Sequence, residues 1–182
     1  TSVFSVGDAV IRGNPVSPDG RALPDPIELP SEQWEPILQP GQEILGVHIP
    51  AAGPMTHEAC GRSFRRAVTF FARHFGEYAF RAFNCTSWFL DNQFGRLLPE
   101  SSNIRRFQEE VYLHPVPNGG DWQVFERVFG RRPETIASAP RDTTIRRAIV
   151  DHVLAGGHFH AGGMLLFPRD LDWGRRVYRL RE

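Results

Sequence analysis

Three sets of residues in this 182-residue chain have types and spacings that could do chemistry. The first is Ala51-Ala-Gly-Pro-Met-Thr56. A loop of small side chains lets backbone approach a ligand closely, and a helix beginning just after it would offer unpaired N–H groups to a phosphate. Gly53 supplies backbone freedom in that loop, while Pro54 removes one donor. A purely structural βα turn would read the same way. The second is Asn84-Cys-Thr-Ser-Trp88, read as the carboxyl end of a strand, where ligands sit in open α/β sheets. There Cys85 or Ser87 could protonate a leaving group or act as a nucleophile. Equally, Cys85 could be a buried small hydrophobe and Ser87 a helix cap, with Trp88 and Phe89 forming core or pocket wall. The third set is the histidines. His48, inside a short apolar strand, suits a general base or a hydrogen-bonded core residue. His158 and His160 would share one face of a strand, as paired metal ligands do, but a third ligand from His114, His48 or Cys85 would have to converge through the fold. His57 and His74 read as surface residues. Ser101-Ser-Asn-Ile-Arg-Arg-Phe107 suits either a cleft wall or a capped amphipathic helix. No Gly-x-Ser-x-Gly elbow and no Ser/His/Asp order is present.

The elements that must position these residues are legible in outline. Residues 2–12 partly alternate and predict a strand. Seven prolines follow between Pro15 and Pro40, a density that excludes a long helix or a central strand. Ile27, Leu29, Trp34, Ile37 and Leu38 in that stretch predict an extended strap pinned to the domain, with Asp19-Gly20 as a turn. Glu43 to Ile49 then predicts a short strand ended by Pro50. Thr56 is the expected N-cap of a helix from His57 to about Phe75, with Glu58 in its first turn. Cys60, Phe64, Ala67, Val68, Phe71 and Phe75 repeat at helical period along it. A second strand is expected over Tyr78–Asn84. Strand, loop, helix and strand make a βαβ unit with a parallel pair and a right-handed crossover. Further helices are expected after caps at Ser101-Ser102, Asp121 and Asp142, the second stopped by Gly130 and the third by Gly156-Gly157. His158–Phe167 predicts a strand with a Gly break, and Arg176–Leu180 a final edge strand. The class is α/β with a mixed sheet.

Composition bounds the rest. Hydrophobic residues make up 41% and charged residues 23% of the chain, values of an ordinary globular protein. A chain of this length buries enough surface to fold without a disulfide or a metal. The net charge is zero, which argues against a dedicated nucleic-acid or membrane-surface binder. No apolar run approaches the roughly 18 residues of a membrane span, and the first residues do not read as a signal peptide. Two cysteines suggest no disulfide framework, so a cytoplasmic location is expected. All 21 cations are Arg; coding bias accounts for this as readily as anion binding does, and it removes Lys Schiff-base chemistry from these residues.

Several strings taken together resemble a known family. They are Val47-His-Ile-Pro-Ala-Ala-Gly-Pro54, Phe83-Asn-Cys-Thr-Ser-Trp-Phe-Leu-Asp91, Ser102-Asn-Ile-Arg-Arg-Phe-Gln108, Pro140-Arg-Asp-Thr-Thr144, Ala155-Gly-Gly-His158 and Leu171-Asp-Trp-Gly174. From about Pro15 to Arg179 the sequence is similar to the C-terminal, GNAT-like domain of bacterial acyltransferase-domain proteins, common in high-GC actinobacteria. The resemblance implies a GNAT-like mixed sheet flanked by helices over residues 41–182, preceded by the N-terminal strand and Pro-rich strap of residues 1–40. It also implies that one strand splays from its neighbour, that an acyl-CoA such as acetyl-CoA enters the gap as co-substrate, and that the next βα turn cradles its pyrophosphate. On this reading the acyl-CoA is held by Ile49, Ala51, Ala52, Gly53 and Thr56, with amides near Ile49 and Ala51 polarising the thioester carbonyl. His48 is the implied base toward an amine acceptor, and Cys85 or Ser87 the implied acid toward the departing thiolate. Relatives of this kind carry a separate N-terminal domain, so an upstream domain or a homodimer is the expected partner in completing the cleft. The leading expectation is a cytoplasmic N-acyltransferase that uses no metal. The alternative from another class is a non-catalytic ligand-binding or interaction domain that keeps the fold; a metal-dependent hydrolase is third.

Overall fold

A computed structural model of the chain describes residues 3–49, 53–117, 119–130 and 133–179. The expected first strand is a hairpin: β1 (Phe4–Val6) pairs antiparallel with β2 (Val10–Gly13). The Gly7 N–H closes the turn on the Val10 carbonyl at 2.9 Å. The Pro-rich stretch contributes an edge strand, β3 (Ile27–Pro30), antiparallel to β2, with Pro30 at its end where no ladder donor is required. Ile27, Trp34 and Ile37 are exposed, so apolar side chains are not what holds this segment. Backbone and hydroxyl contacts do so instead. The Tyr112 hydroxyl donates to the Val16 carbonyl, and the Leu113 N–H donates to the Pro18 carbonyl at 2.9 Å.

The βαβ unit forms as expected in kind but shifted in place. It consists of β4 (Ile44–Gly46), α1 (His57–His74) and β5 (Ala82–Ser87), with Ile44 opposite Ala82 in a parallel register. Thr56 caps α1, its hydroxyl oxygen accepting from the Ala59 N–H at 3.3 Å. The second strand begins at Ala82 rather than Tyr78 because Tyr78 is spent on the turn out of α1. Its N–H bonds the Phe75 carbonyl at 2.8 Å, and its hydroxyl donates to the Ile44 carbonyl at 2.9 Å. Asn84, Cys85, Thr86 and Ser87 therefore lie within the strand and not in a loop beyond it, and Trp88–Leu90 forms a 3-10 turn.

A short α2 (Phe94–Leu97), α3 (Asn103–Glu109) and β6 (Tyr112–Pro115) follow. Then come α4 (Asp121–Phe129), α5 (Thr144–Leu154) and β7 (Gly162–Leu166). Two caps differ from expectation because their carboxylates are engaged elsewhere. Asp121 is the first residue of α4 and accepts from the Phe159 N–H at 2.7 Å, while Asp142 holds Arg146 at 2.9 Å. Thr143 caps α5 in its place. The glycines do not break β7; they let it pass under its neighbours. A Cβ on Gly162 would run into the Leu90 backbone, and one on Gly163 into the His114 ring. The expected last strand is a 3-10 turn over Val177–Arg179.

The larger sheet runs β4-β5-β7-β6, with β4–β5 parallel and the other pairs antiparallel. Phe64 of α1 and Phe107 of α3 pack with Phe83, Cys85, Met164 and Leu166 on one face of it. A second cluster gathers Phe94, Val124, Phe125, Ile149 and Phe159, with the Phe94 and Phe159 rings stacked 5.1 Å apart. Among the described residues no helix is long and apolar enough to cross a membrane.

Candidate active site

The Val47 N–H donates to the Asn84 carbonyl at 2.8 Å, and the β4–β5 ladder stops there. Had the evenly spaced parallel pattern continued, Thr86 N–H would reach the Val47 carbonyl and Ile49 N–H would reach the Thr86 carbonyl. Neither bond forms among the described residues. On its other side β5 stays fully paired, Cys85 opposite Met164, Thr86 opposite Gly163 and Ser87 opposite Gly162. One strand is thus held straight while the other leaves it, and a wedge opens between them.

Two cavities occupy this wedge. One of about 320 Å³ lies between Val47–Ile49, residues 53–55 and the first turns of α1, where Cys60, Ser63 and Phe64 line it. The other, of about 730 Å³, lies between residues 46–49 and residues 84–89, with Ile104 and Arg127 on its wall. Val47, His48, Ile49 and Met55 border both.

Of the residues singled out from sequence, Ile49 and Gly53 line the wedge, and Ile49 is 40% exposed. Thr56 sits at the start of α1 with its hydroxyl oxygen committed to the cap. Ala51 and Ala52 lie outside the described residues. His48 is not a core histidine: it is exposed and borders both cavities. Cys85 is 9% exposed and belongs to the main hydrophobic cluster while also touching the larger cavity. Burial pushes its thiol pKa up, because the thiolate would lose more solvation than the thiol. Ser87 lines the same cavity, and its side chain makes no cap bond to the turn that follows.

The histidine pair does not form a metal face. His158 precedes β7, exposed, with Nδ1 2.8 Å from the Asp121 carboxylate, and the His160 N–H donates to the Asp91 carboxylate at 2.7 Å. Among the described residues no three His, Cys, Asp or Glu side chains gather where a metal could sit. His57 is not a surface residue either. It is buried with Nε2 2.9 Å from the Glu110 carboxylate, beneath Trp173, whose indole N–H donates to the His57 carbonyl at 2.8 Å.

A family model for the GNAT-like C-terminal domain matches residues 13–165. The chain belongs to that family. Three solved acyltransferase structures resemble this GNAT-like domain. One, in complex with decanoyl-CoA, is 27% identical over 91% of this chain and 46% of its own, with a TM-score of 0.60. A second, holding CoA and 10C-teicoplanin, is 25% identical over 87% and 45%, with a TM-score of 0.62. A third, holding decanoyl-CoA and teicoplanin, is 25% identical over 87% and 45%, with a TM-score of 0.61. The chain therefore spans less than half the length of the acyltransferases it matches. Among curated protein sequences none matches it.

Several residues of the GNAT-like domain's cleft escape a reading of the sequence. Cys60 and Phe64 are visible as an apolar stripe, but nothing in the stripe says that its first turns face a cavity rather than solid core. Arg127, on α4, carries no local signal at all; only the packing of α4 beside the Trp88 turn brings it to the cleft. Thr86 likewise matters for where its backbone points, not for its side chain.

Proposed function

We propose that the GNAT-like domain transfers an acyl group from acyl-CoA to an amine by direct attack. On this reading residues 41–182 form the GNAT-like acyltransferase domain and residues 1–40 its N-terminal strand and Pro-rich strap. The observation that carries this reading is the unspent backbone of the wedge, where Val47 and Ile49 leave β5 beside two cavities. The thioester carbonyl lies against the Ile49 N–H, a fixed dipole that gains strength as negative charge develops on that oxygen. His48 takes the proton from the amine, the nitrogen lone pair forms the new C–N bond, and the C–S bond breaks toward sulfur. The thiolate takes a proton from Cys85 or Ser87, both of which line the larger cavity. The solved acyltransferases that resemble the domain hold decanoyl-CoA or CoA, which supports acyl-CoA as the co-substrate. The acceptor chemistry and a cytoplasmic place of work belong to the proposal.

Titration with acetyl-CoA and decanoyl-CoA, followed by thiol-release assays across a panel of amines, tests the reading. Saturable binding with amine-dependent CoA release supports it; no heat and no thermal shift at millimolar ligand rejects it. Among the described residues His57 and His158 each have a carboxylate at a ring nitrogen whereas His48 has none, and this favours one second reading. In it the domain seats the acyl-CoA, and an upstream domain or a second copy supplies the catalytic groups. Binding without turnover, unchanged in His48→Ala, Cys85→Ala and Ser87→Ala variants, distinguishes the two.

A further inference from the structure

A third cavity, of about 370 Å³, shares no lining residue with the two of the wedge. It lies toward the β6 edge of the sheet, between residues 19–21, α2, α3 and the C-terminal turn. Five arginines border it: Arg21, Arg96, Arg105, Arg176 and Arg179. Among the described residues, Asp19 and Glu109 are the only acids on the same wall. Both are already engaged. Asp19 holds Arg21 at 2.8 Å and accepts from Ser17, and Glu109 lies 3.2 Å from both Arg105 and Arg176. Arg96 makes no ion pair among the described residues.

Arg179 is the informative member. Its Nη2 donates to the Gln108 carbonyl at 2.7 Å, but its Nη1 is buried and finds no acceptor among the described residues. Burial lowers its pKa while Asp19, Glu109 and Glu110 pull it back up; the guanidinium is charged in any case, and no acid among the described residues takes its second nitrogen. A buried guanidinium donor without a partner is costly unless something fills the role. Guanidinium forks arriving from four separate elements suit an anion with oxygens in several directions. A planar carboxylate, by contrast, is satisfied by a single fork.

We infer that this arginine-lined cavity is a second ligand site, distinct from the wedge, which binds a phosphate-bearing small molecule through Arg96 and Arg179. Phosphomonoesters and diphosphates share the required chemistry, and the volume admits either with a small organic group attached.

Calorimetric titration of the full chain with inorganic phosphate and with pyrophosphate at low ionic strength tests the inference. Saturable binding is expected for at least one of them. It should weaken about tenfold or more in Arg96→Ala and in Arg179→Met, since each substitution takes away a charge-assisted hydrogen bond to the anion. It is also expected to persist in the presence of saturating CoA. Because Arg179 is half-buried and its replacement can unsettle the C-terminal turn, the exposed Arg96→Ala variant carries the test independently. Absence of binding, binding equal in both variants and wild type, displacement by CoA, or equal affinity for succinate would each overturn the assignment.

Discussion

Val47 and Asn84 share the last hydrogen bond between β4 and β5, 2.8 Å from N–H to carbonyl, and β5 then continues to Ser87 alone on that side. The wedge is a consequence of this mismatch in length. Its walls stay apart because β7 holds β5 in place through Gly162 while β4, among the described residues, has no strand on its outer edge. A backbone donor placed by strand splay needs no side chain, so the first prediction concerns the amide itself.

Ile49→Pro removes that N–H, whereas Ile49→Ala keeps it. Acyl transfer is expected to fall about 100- to 1,000-fold in the proline variant, the usual cost of one oxyanion donor, and to change little in the alanine variant. Steady-state CoA release checks this, with thermal melts confirming that both variants fold. Equal rates in the two would show that the amide takes no part.

His48→Gln removes the proposed base while keeping a polar side chain of similar reach. A loss of about 100- to 10,000-fold in kcat is expected, with little change in KM for the acyl-CoA, because His48 acts on the acceptor.

Alkaline pH should destabilise the fold through Tyr178. Its hydroxyl donates to the Asp170 carboxylate at 3.1 Å and accepts from the Phe167 N–H at 3.1 Å. Burial, with Asp170 nearby, raises its pKa well above the usual phenol value. An unfolded tyrosine loses its proton near pH 10, at about its reference pKa. The contribution of Tyr178 is thus fully present below that pH and declines as the pH rises toward the folded value. Tyr178→Phe should cost about 1 kcal/mol at pH 7 and show a flatter fall in Tm above pH 10 than the wild type.

Gly61→Ala should destabilise the domain by about 1–3 kcal/mol, the range for overpacking a filled site. A Cβ there would stand 2.5 Å from the Trp173 ring, whose indole N–H anchors the start of α1 through the His57 carbonyl. Gly46→Ala, where a Cβ meets nothing within 4 Å, is the matched control in the wedge and should melt like wild type. Urea unfolding of the two variants makes the comparison.

Glu110→Ala should be more damaging still. Its carboxylate is buried, faces His57 at 2.9 Å and accepts from the Gly174 N–H at 2.9 Å. Without it the buried His57 ring nitrogen and the Gly174 and Arg176 N–H groups lose their partner, at about 1–3 kcal/mol for each group left unpaired, and the segment that carries Trp173 is freed. Chemical denaturation should show it, and Glu110→Gln should recover part of the loss.

What the amino-acid sequence determined by itself is whatever depends on a few adjacent residues. The helical stripe from Cys60 to Phe71, the Thr56 cap, the Gly130 stop and the strand–helix–strand order all follow from spacing and capping, and all stand in the fold. The motifs around residues 47–54 and 83–91 were enough to indicate the family. What only the tertiary structure decided is where the second strand begins, which way its end faces, and what surrounds each candidate side chain. Tyr78 reads as strand by type but closes a turn, since its hydroxyl finds the Ile44 carbonyl 34 residues away. His57 reads as surface but is buried, because Glu110 and Trp173 reach it from 53 and 116 residues further along the chain. The wedge depends on Cys85 pairing across from Met164 and on Val47 ceasing to pair. Such long-range hydrogen bonds are selected by the packing of the whole sheet, and no local window of sequence contains them.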